Sequence, residues 1–358
     1  MDPQSVARAY ELQSRACERL DAPTYARLLK HLAGDAADGG PFATVASRWQ
    51  GDAVAEALAL KVLGALHDLA LAGDAPALAA HYPSCGGQPR WPELWEDAHA
   101  TLVEHFAFVR DALDRGVQTN EVGRCAVLLG GFALVAGEFG LPLRCFELGA
   151  SAGLNLAWHR FGYRLESAEW GNPRARVTVR SRWRGQAPPL PETIAVSATA
   201  GCDVAPIDVT DDDALRRLKA FVWPDQAERH ALLDAAVAEA LAEPPDLERS
   251  SAARWLARRL ADKADEVATV VYHSIFWQYV DRAEQREIAA LLERHGRAAT
   301  RARPLAWLRM ELADDSRTEL ALTLWPTGDE RRLARAHPHG RAVRWYGRVR
   351  NGGGFVVV

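Results

Sequence analysis

The sequence predicts an α/β protein, with a mainly parallel sheet, antiparallel C-terminal strands and an all-helical N-terminal region. Three observations support this. Residues 1–140 carry apolar stripes at helical spacing and no convincing strand. From Pro142 onward, short apolar runs alternate with helical stretches, the grammar of a parallel sheet covered on both faces. VATVVY (267–272) is continuous, apolar and β-branched, as a fully buried strand requires.

Asp21 is placed to cap a helix running to Ala33, with Gly34 as its stop, and Gly51–Ala72 reads as an apolar helix closing at Gly73. In Pro92–Gly116, Trp95, Leu102, Phe106, Val109 and Leu113 step by 7, 4, 3 and 4, one stripe on a helix. Glu121–Gly140 is a further helix, rich in small residues. Leu143–Leu148 is the first strand, followed by a small-residue loop and a helix over Leu154–Phe161. Runs near Tyr163–Trp170 and Arg176–Trp183 predict a hairpin-like insertion near 163–185, and a further strand lies near Ile194–Ala198. Helices follow at Asp211–Phe221 and Asp225–Ala242, punctuated by Pro224 and Pro244. Strand Val267–Tyr272, helix Arg282–His295 and strand Pro304–Met310 make a β-α-β step. Glu319–Trp325, Ala342–Val349 and Phe355–Val358 turn antiparallel. The expected division is a helical region at 1–140 and an α/β domain at 141–358.

The 358 residues are 48% apolar and 25% charged with a net charge of −4, a globular balance that opposes wholesale nucleic-acid binding. Five scattered cysteines with no C-x-x-C suit a reducing cytosol, so a cytoplasmic location is expected. No signal peptide is visible, and the most apolar runs are interrupted by Lys61, His67 or Glu138, so no membrane partner is expected.

Two signatures overlap in FELGASAGLN (146–155). Gly149-Ala-Ser151-Ala-Gly153 fits G-x-S-x-G, the elbow of a serine hydrolase. Acids such as Asp203 or Asp208, then His273 or the His337/His339 pair, follow in the required order. That elbow needs strands laid down before it, and nothing upstream reads as strand. As a ligand loop, Glu147 ends the first strand, while Gly149, Ser151 and Gly153 let the backbone approach a ligand beside a helix N-terminus. The spacing is neither G-x-G-x-x-G nor a phosphate loop.

E-x-G-x-S-x-G resembles the first motif of class I S-adenosylmethionine-dependent methyltransferases, D/E-x-G-x-G-x-G, with Ser151 in place of the middle glycine. Six segments, QTNEVGR (118–124), ELGASAGLN (147–155), GCDVAPID (201–208), FVWPDQAER (221–229), VVYHSIFWQY (270–279) and PLAWLRME (304–311), resemble those of an uncharacterised bacterial family known only as a domain of unknown function. These likenesses imply a Rossmann-like, methyltransferase-like fold that binds S-adenosylmethionine through Glu147, Gly149, Ser151, Gly153 and Asn155. They also imply an acid for the ribose, Glu169 or Glu166, and Asp203 near the adenine. The expected partner is a small-molecule acceptor. A non-enzymatic binding protein on a degenerate fold of this kind is the alternative.

His273 ends a strand at the sheet's mouth, where it can act as a general base or simply bond structurally. Tyr272, Ser274, Trp277 and Gln278 adjoin it as candidate substrate contacts. Trp223 and Asp225 offer an aromatic wall and a carboxylate, although Asp225 equally suits a helix cap. Asn120 can cap the next helix, and Arg124 can bridge toward the ligand loop. Arginines 174, 176, 180, 182 and 184 alternate with apolar Val177, Val179 and Trp183. On a strand they form a basic face, for RNA phosphates or an acidic partner, or a charged guard on an edge. His337-Pro-His339 lacks an acidic or cysteine partner at a metal-binding spacing, so no metal is expected.

Overall fold

LRCFEL and ATVVYHS become neighbouring parallel strands because each puts apolar side chains on both faces, as a strand buried from two sides must. The computed structural model describes residues 1–166, 168–314, 317–346, 348–350 and 354–356. The chain divides into two units, Met1–Thr119 with Thr210–Ala231, and Asn120–Val209 with Leu232–Val358. The helical unit therefore ends earlier than the expected residue 140 and takes back a later segment.

The first unit holds α1 (Pro3–Arg19), α2 (Pro23–Ala37), α3 (Pro41–Thr44), α4 (Leu58–Ala72), α5 (Pro76–Ala79), α6 (Glu93–Glu104) and α7 (Phe106–Ala112). α1 and α2 pair to bury Val6, Tyr10, Leu28, Leu29 and Leu32. Asp21 is left-handed at φ 54° and starts no helix. The amide at the start of α2 is met from far along the chain, where the Asp225 carboxylate accepts from Thr24 N at 2.9 Å. α2 runs through Gly34, α4 begins only at Leu58, and the long helix expected over Pro92–Gly116 breaks at His105.

The second unit begins with α8 (Cys125–Phe139), closed by left-handed Gly140, and enters β1 (Leu143–Leu148). A seven-residue 3-10 helix, Leu154–Arg160, stands where an α-helix was expected. The insertion becomes β2 (Gly162–Arg164), β3 (Glu169–Gly171) and β4 (Thr178–Arg180) in a separate three-stranded sheet. β5 (Arg182–Gly185) leaves it for the edge of the main sheet, which continues with β6 (Val196–Asp203). α9 (Asp212–Ala220) belongs to the first unit, and α10 (Ala227–Ala242) begins there and ends in the second. The second unit continues with β7 (Leu247–Arg249), α11 (Ala252–Ala261), β8 (Ala268–Ser274), α12 (Arg282–Arg297), β9 (Leu305–Asp314), β10 (Arg317–Trp325), β11 (Asp329–Ala336) and β12 (Ala342–Trp345). β13 (Arg348–Arg350) and β14 (Gly354–Val356) pair by themselves. Residues 357–358 of the last expected strand lie outside the described residues.

The main sheet runs β5-β12-β11-β10-β9-β8-β1-β6-β7. β7, β6, β1, β8 and β9 are parallel, and β9 to β12 are antiparallel. In chain order the parallel strands read 3-2-1-4-5, the Rossmann-like order that reverses direction at its first strand. On one face Trp255, Leu256, Ile288 and Leu292 of α11 and α12 cover Phe146, Leu148, Val271 and Trp307.

α8 lies close to the strands because its residues are small. A Cβ on Gly130 would stand 2.0 Å from the Trp345 ring, and one on Gly131 would stand 2.4 Å from Leu308. Helix propensity alone favours alanine over glycine by about 1 kcal/mol, but overpacking costs about 1–3 kcal/mol. Gly130→Ala is therefore expected to lower the melting temperature. A rise would contradict this packing.

Candidate functional site

In open α/β sheets, ligands bind outside the carboxyl ends of the strands where the order reverses, here between β1 and β8. The loop after β1 is wound tightly, with Gly149, Ser151 and Gly153 at φ 69°, 55° and 72°. Glycine is required at 149, since a Cβ there would meet Phe276 at 2.2 Å.

The loop's amides are spent inside the protein. Ala150 N donates to the Cys202 carbonyl at 3.0 Å. Ser151 N donates to Asp203 Oδ2 at 2.9 Å, and Gly153 N donates to the Ala150 carbonyl at 2.7 Å. Asn120 Oδ1 accepts from both Ala152 N, at 3.1 Å, and Leu154 N, at 3.0 Å. The helix N-terminus expected to offer free amides is thus a 3-10 turn already capped by Asn120. Asn120 does cap, but it caps this turn and not the helix that follows it in sequence.

Glu147 lies beneath the loop, 2% exposed. Its carboxyl accepts from Tyr272 Oη at 3.3 Å and from the Asn155 amide, whose oxygen accepts a hydrogen bond from the Cys125 thiol at 3.3 Å. Burial pushes its pKa up to about 8 against these hydrogen bonds and the Arg124 charge, with Asp203 adding repulsion. Glu147 is therefore mostly protonated at neutral pH. Ser151 Oγ is buried with no hydrogen-bond partner, so nothing here activates it as a nucleophile.

Arg124 crosses the mouth, donating to the Ser274 carbonyl at 2.9 Å and the Pro338 carbonyl at 3.1 Å. It ties the end of β8 to the loop before β12. His273 is corrected. Its ring is fully buried, Trp307 Nε1 donates to Nε2 at 3.1 Å, and Nδ1 meets Glu311 Oε1 at 2.5 Å. An indole N–H only donates, so Nε2 is the acceptor, Nδ1 carries the proton, and neither nitrogen is open to a substrate. Glu311 also accepts the Phe276 and Trp277 amides, and Trp277 stacks on His273 at 5.2 Å. The cluster shapes the loop after β8, leaving Ser274 and Trp277 half-buried and Gln278 exposed.

Glu169, one of two acids named for the ribose, is exposed on β3 and pairs with Arg164, outside the main sheet. Glu166 precedes β3 in the same insertion. The acid ending the strand beside β1 is Asp203. Trp223 is buried in the core of the helical unit, and Asp225 bonds the start of α2. The arginine row is not one strand. Arg176 faces Glu239 at 3.5 Å, Arg180 ends β4, and Arg182 and Arg184 lie on β5. Among the described residues no metal-ligating side chains gather in threes.

The family model for an uncharacterised protein conserved in bacteria (DUF2332) matches residues 7–345. The chain belongs to this family. No curated protein and no solved structure matches it. In this DUF2332 chain, the sequence showed the residues of the loop and offered Asn120 as a cap, but not as the support of that loop, nor Trp307 and Glu311 as supports of the segment after β8. The only signal of Trp307 and Glu311 was that they sit in the family-like segment 304–311.

Two other places meet the chemistry sought at the loop. A cavity of about 330 Å³ touches Gly153 and His159 but opens along the first half of β6, away from Asp203. It sits where the short 3-10 helix follows β1. In the helical unit Ser84 Oγ lies 2.7 Å from His67 Nε2, with Nδ1 donating to the Ala220 carbonyl at 2.9 Å. Burial pulls His67 down to about 3, too weak a base to activate the serine.

The Glu147 carboxyl stays protonated in the fold up to about pH 8 but ionises near 4.5 when unfolded. Its contribution to stability is thus complete below about pH 4.5 and is lost as pH rises to about 8, at about 1.4 kcal/mol per unit. Between pH 5.5 and 7.5, Glu147→Gln should gain about 2–3 kcal/mol on the wild type in urea unfolding. Equal pH dependence in both proteins would show that Glu147 is ionised in place.

Proposed function

We propose that this protein binds S-adenosylmethionine in the crevice beyond β1, β6 and β8 and transfers its methyl group to a small or medium-sized acceptor. The observation that carries the reading is the loop's hydrogen-bond inventory. Phosphate sites use free backbone amides at a helix N-terminus, and here those amides are occupied. What remains is acceptor chemistry, namely the half-buried Asp203 carboxylate, whose two oxygens keep lone pairs beyond the amides of Ser151 and Ala205. Such a set suits a cationic nucleoside with an ammonium group and ribose hydroxyls, and disfavours a dinucleotide or nucleoside triphosphate. The strand order and the acid–glycine loop at the reversal point support the same class.

Asp203 would hold the ribose hydroxyls, and Ser151 with the backbone of 149–153 would seat the amino-acid end. The cofactor supplies an electrophilic methyl carbon. Arg124, Glu311 and His273 then act together by holding the Ser274–Trp277 segment, which presents an aromatic wall and a polar edge to the acceptor. With both His273 nitrogens bonded, the acceptor atom must bring its own lone pair without deprotonation by that ring, and the protein's part is alignment.

Calorimetric titration with S-adenosylmethionine tests this. Wild type should bind in the micromolar range, Asp203→Asn should bind tenfold or more weakly, and Gly149→Arg should not bind. Absence of wild-type binding at millimolar ligand would overturn the reading.

A further inference from the structure

The edge of the main sheet carries a feature that the crevice does not use. In the register of β5, β12 and β11, Arg184 lies opposite Arg344, and Arg344 lies opposite Arg335. The next residue across is Glu319 on β10, which Arg332 already engages at 3.3 Å. Arg182 stands two residues before Arg184 on the same face. All four of these arginines are solvent-exposed, while their neighbours Trp183, Ala334, Ala336, Val343 and Trp345 are buried on the opposite face. Among the described residues, none of the four guanidinium groups has a carboxylate within ion-pair distance.

Like charges directly opposite on a sheet destabilise it. Guarding an edge explains Arg182 and Arg184, because β5 is the edge strand. It does not explain Arg344 and Arg335, which lie on paired inner strands. With strands about 4.8 Å apart, the row spans about 10 Å, and Arg182 extends it by about 7 Å along β5. The patch is therefore an array of planar bidentate donors bordered by one acid, Glu319, in a chain whose overall charge is −4.

We propose that this face is a docking surface for the phosphate backbone of a nucleic acid, held without base reading. Arginine is the side chain suited to bidentate phosphate contact, and several phosphates spaced along one strand fit an array of this width. Among the described residues the face presents arginine and no exposed aromatic ring within the row, so stacking on bases is not part of the contact. The inference is independent of what the crevice binds.

The test is fluorescence anisotropy of a labelled 20-nucleotide single-stranded RNA with the full chain, across a salt series. Wild type should bind at low salt, with log affinity falling against log salt at a slope of about −2 to −3, for three or four phosphates. Arg184→Glu with Arg344→Glu should weaken binding tenfold or more and flatten the slope. Arg254→Glu with Arg286→Glu, the same charge change on exposed positions of α11 and α12, should leave affinity within about threefold. No wild-type binding, or equal losses in both double variants, would overturn the proposal. So would retention on anionic vesicles in place of RNA.

Discussion

Two hydrogen bonds from one carboxamide oxygen hold the centre of this protein together. Asn120 Oδ1 accepts from Ala152 and Leu154, closing a loop that has just made three left-handed steps. Left-handed conformations cost free energy in residues other than glycine, and Ser151 is one of them. Buried amides without acceptors cost more. The loop keeps its shape because Asn120, Asp203 and Cys202 between them receive the donors that the winding turns away from β1. From this follows the position of Glu147 under the loop.

Glu147 and His273 show burial acting in two ways. Burial keeps the Glu147 carboxyl protonated near neutrality, since its partners do not offset the loss of water. His273 is equally buried, yet it is neutral by geometry, with a donor-only indole on one nitrogen and a carboxylate on the other. The first arrangement leaves chemistry available, while the second spends it on holding the Ser274–Trp277 segment.

Much of the fold was legible because its signals are local. The start of the sheet at Leu143, the acid and glycines of the loop and the buried strand at 268–274 each lie within a few consecutive residues. What the sequence hid depends on distant partners. Nothing in QTNEVGR marks Asn120 as an acceptor for amides more than thirty residues on. His273 reads as a free base until Trp307 and Glu311 arrive from the adjacent strand. β11, DERRLARA, carries too much charge to read as a strand, and only pairing with β10 and β12 makes it one. Glu169 drew the ribose role through a count of strands that the separate small sheet invalidates.

The closed loop is tested most directly by amide hydrogen exchange in the ligand-free protein. Ala152 and Leu154 should exchange as slowly as amides inside β1, and Asn120→Ala should speed both while leaving β1 protected. Rapid exchange of these two amides in the wild type would contradict a loop whose donors are satisfied from within.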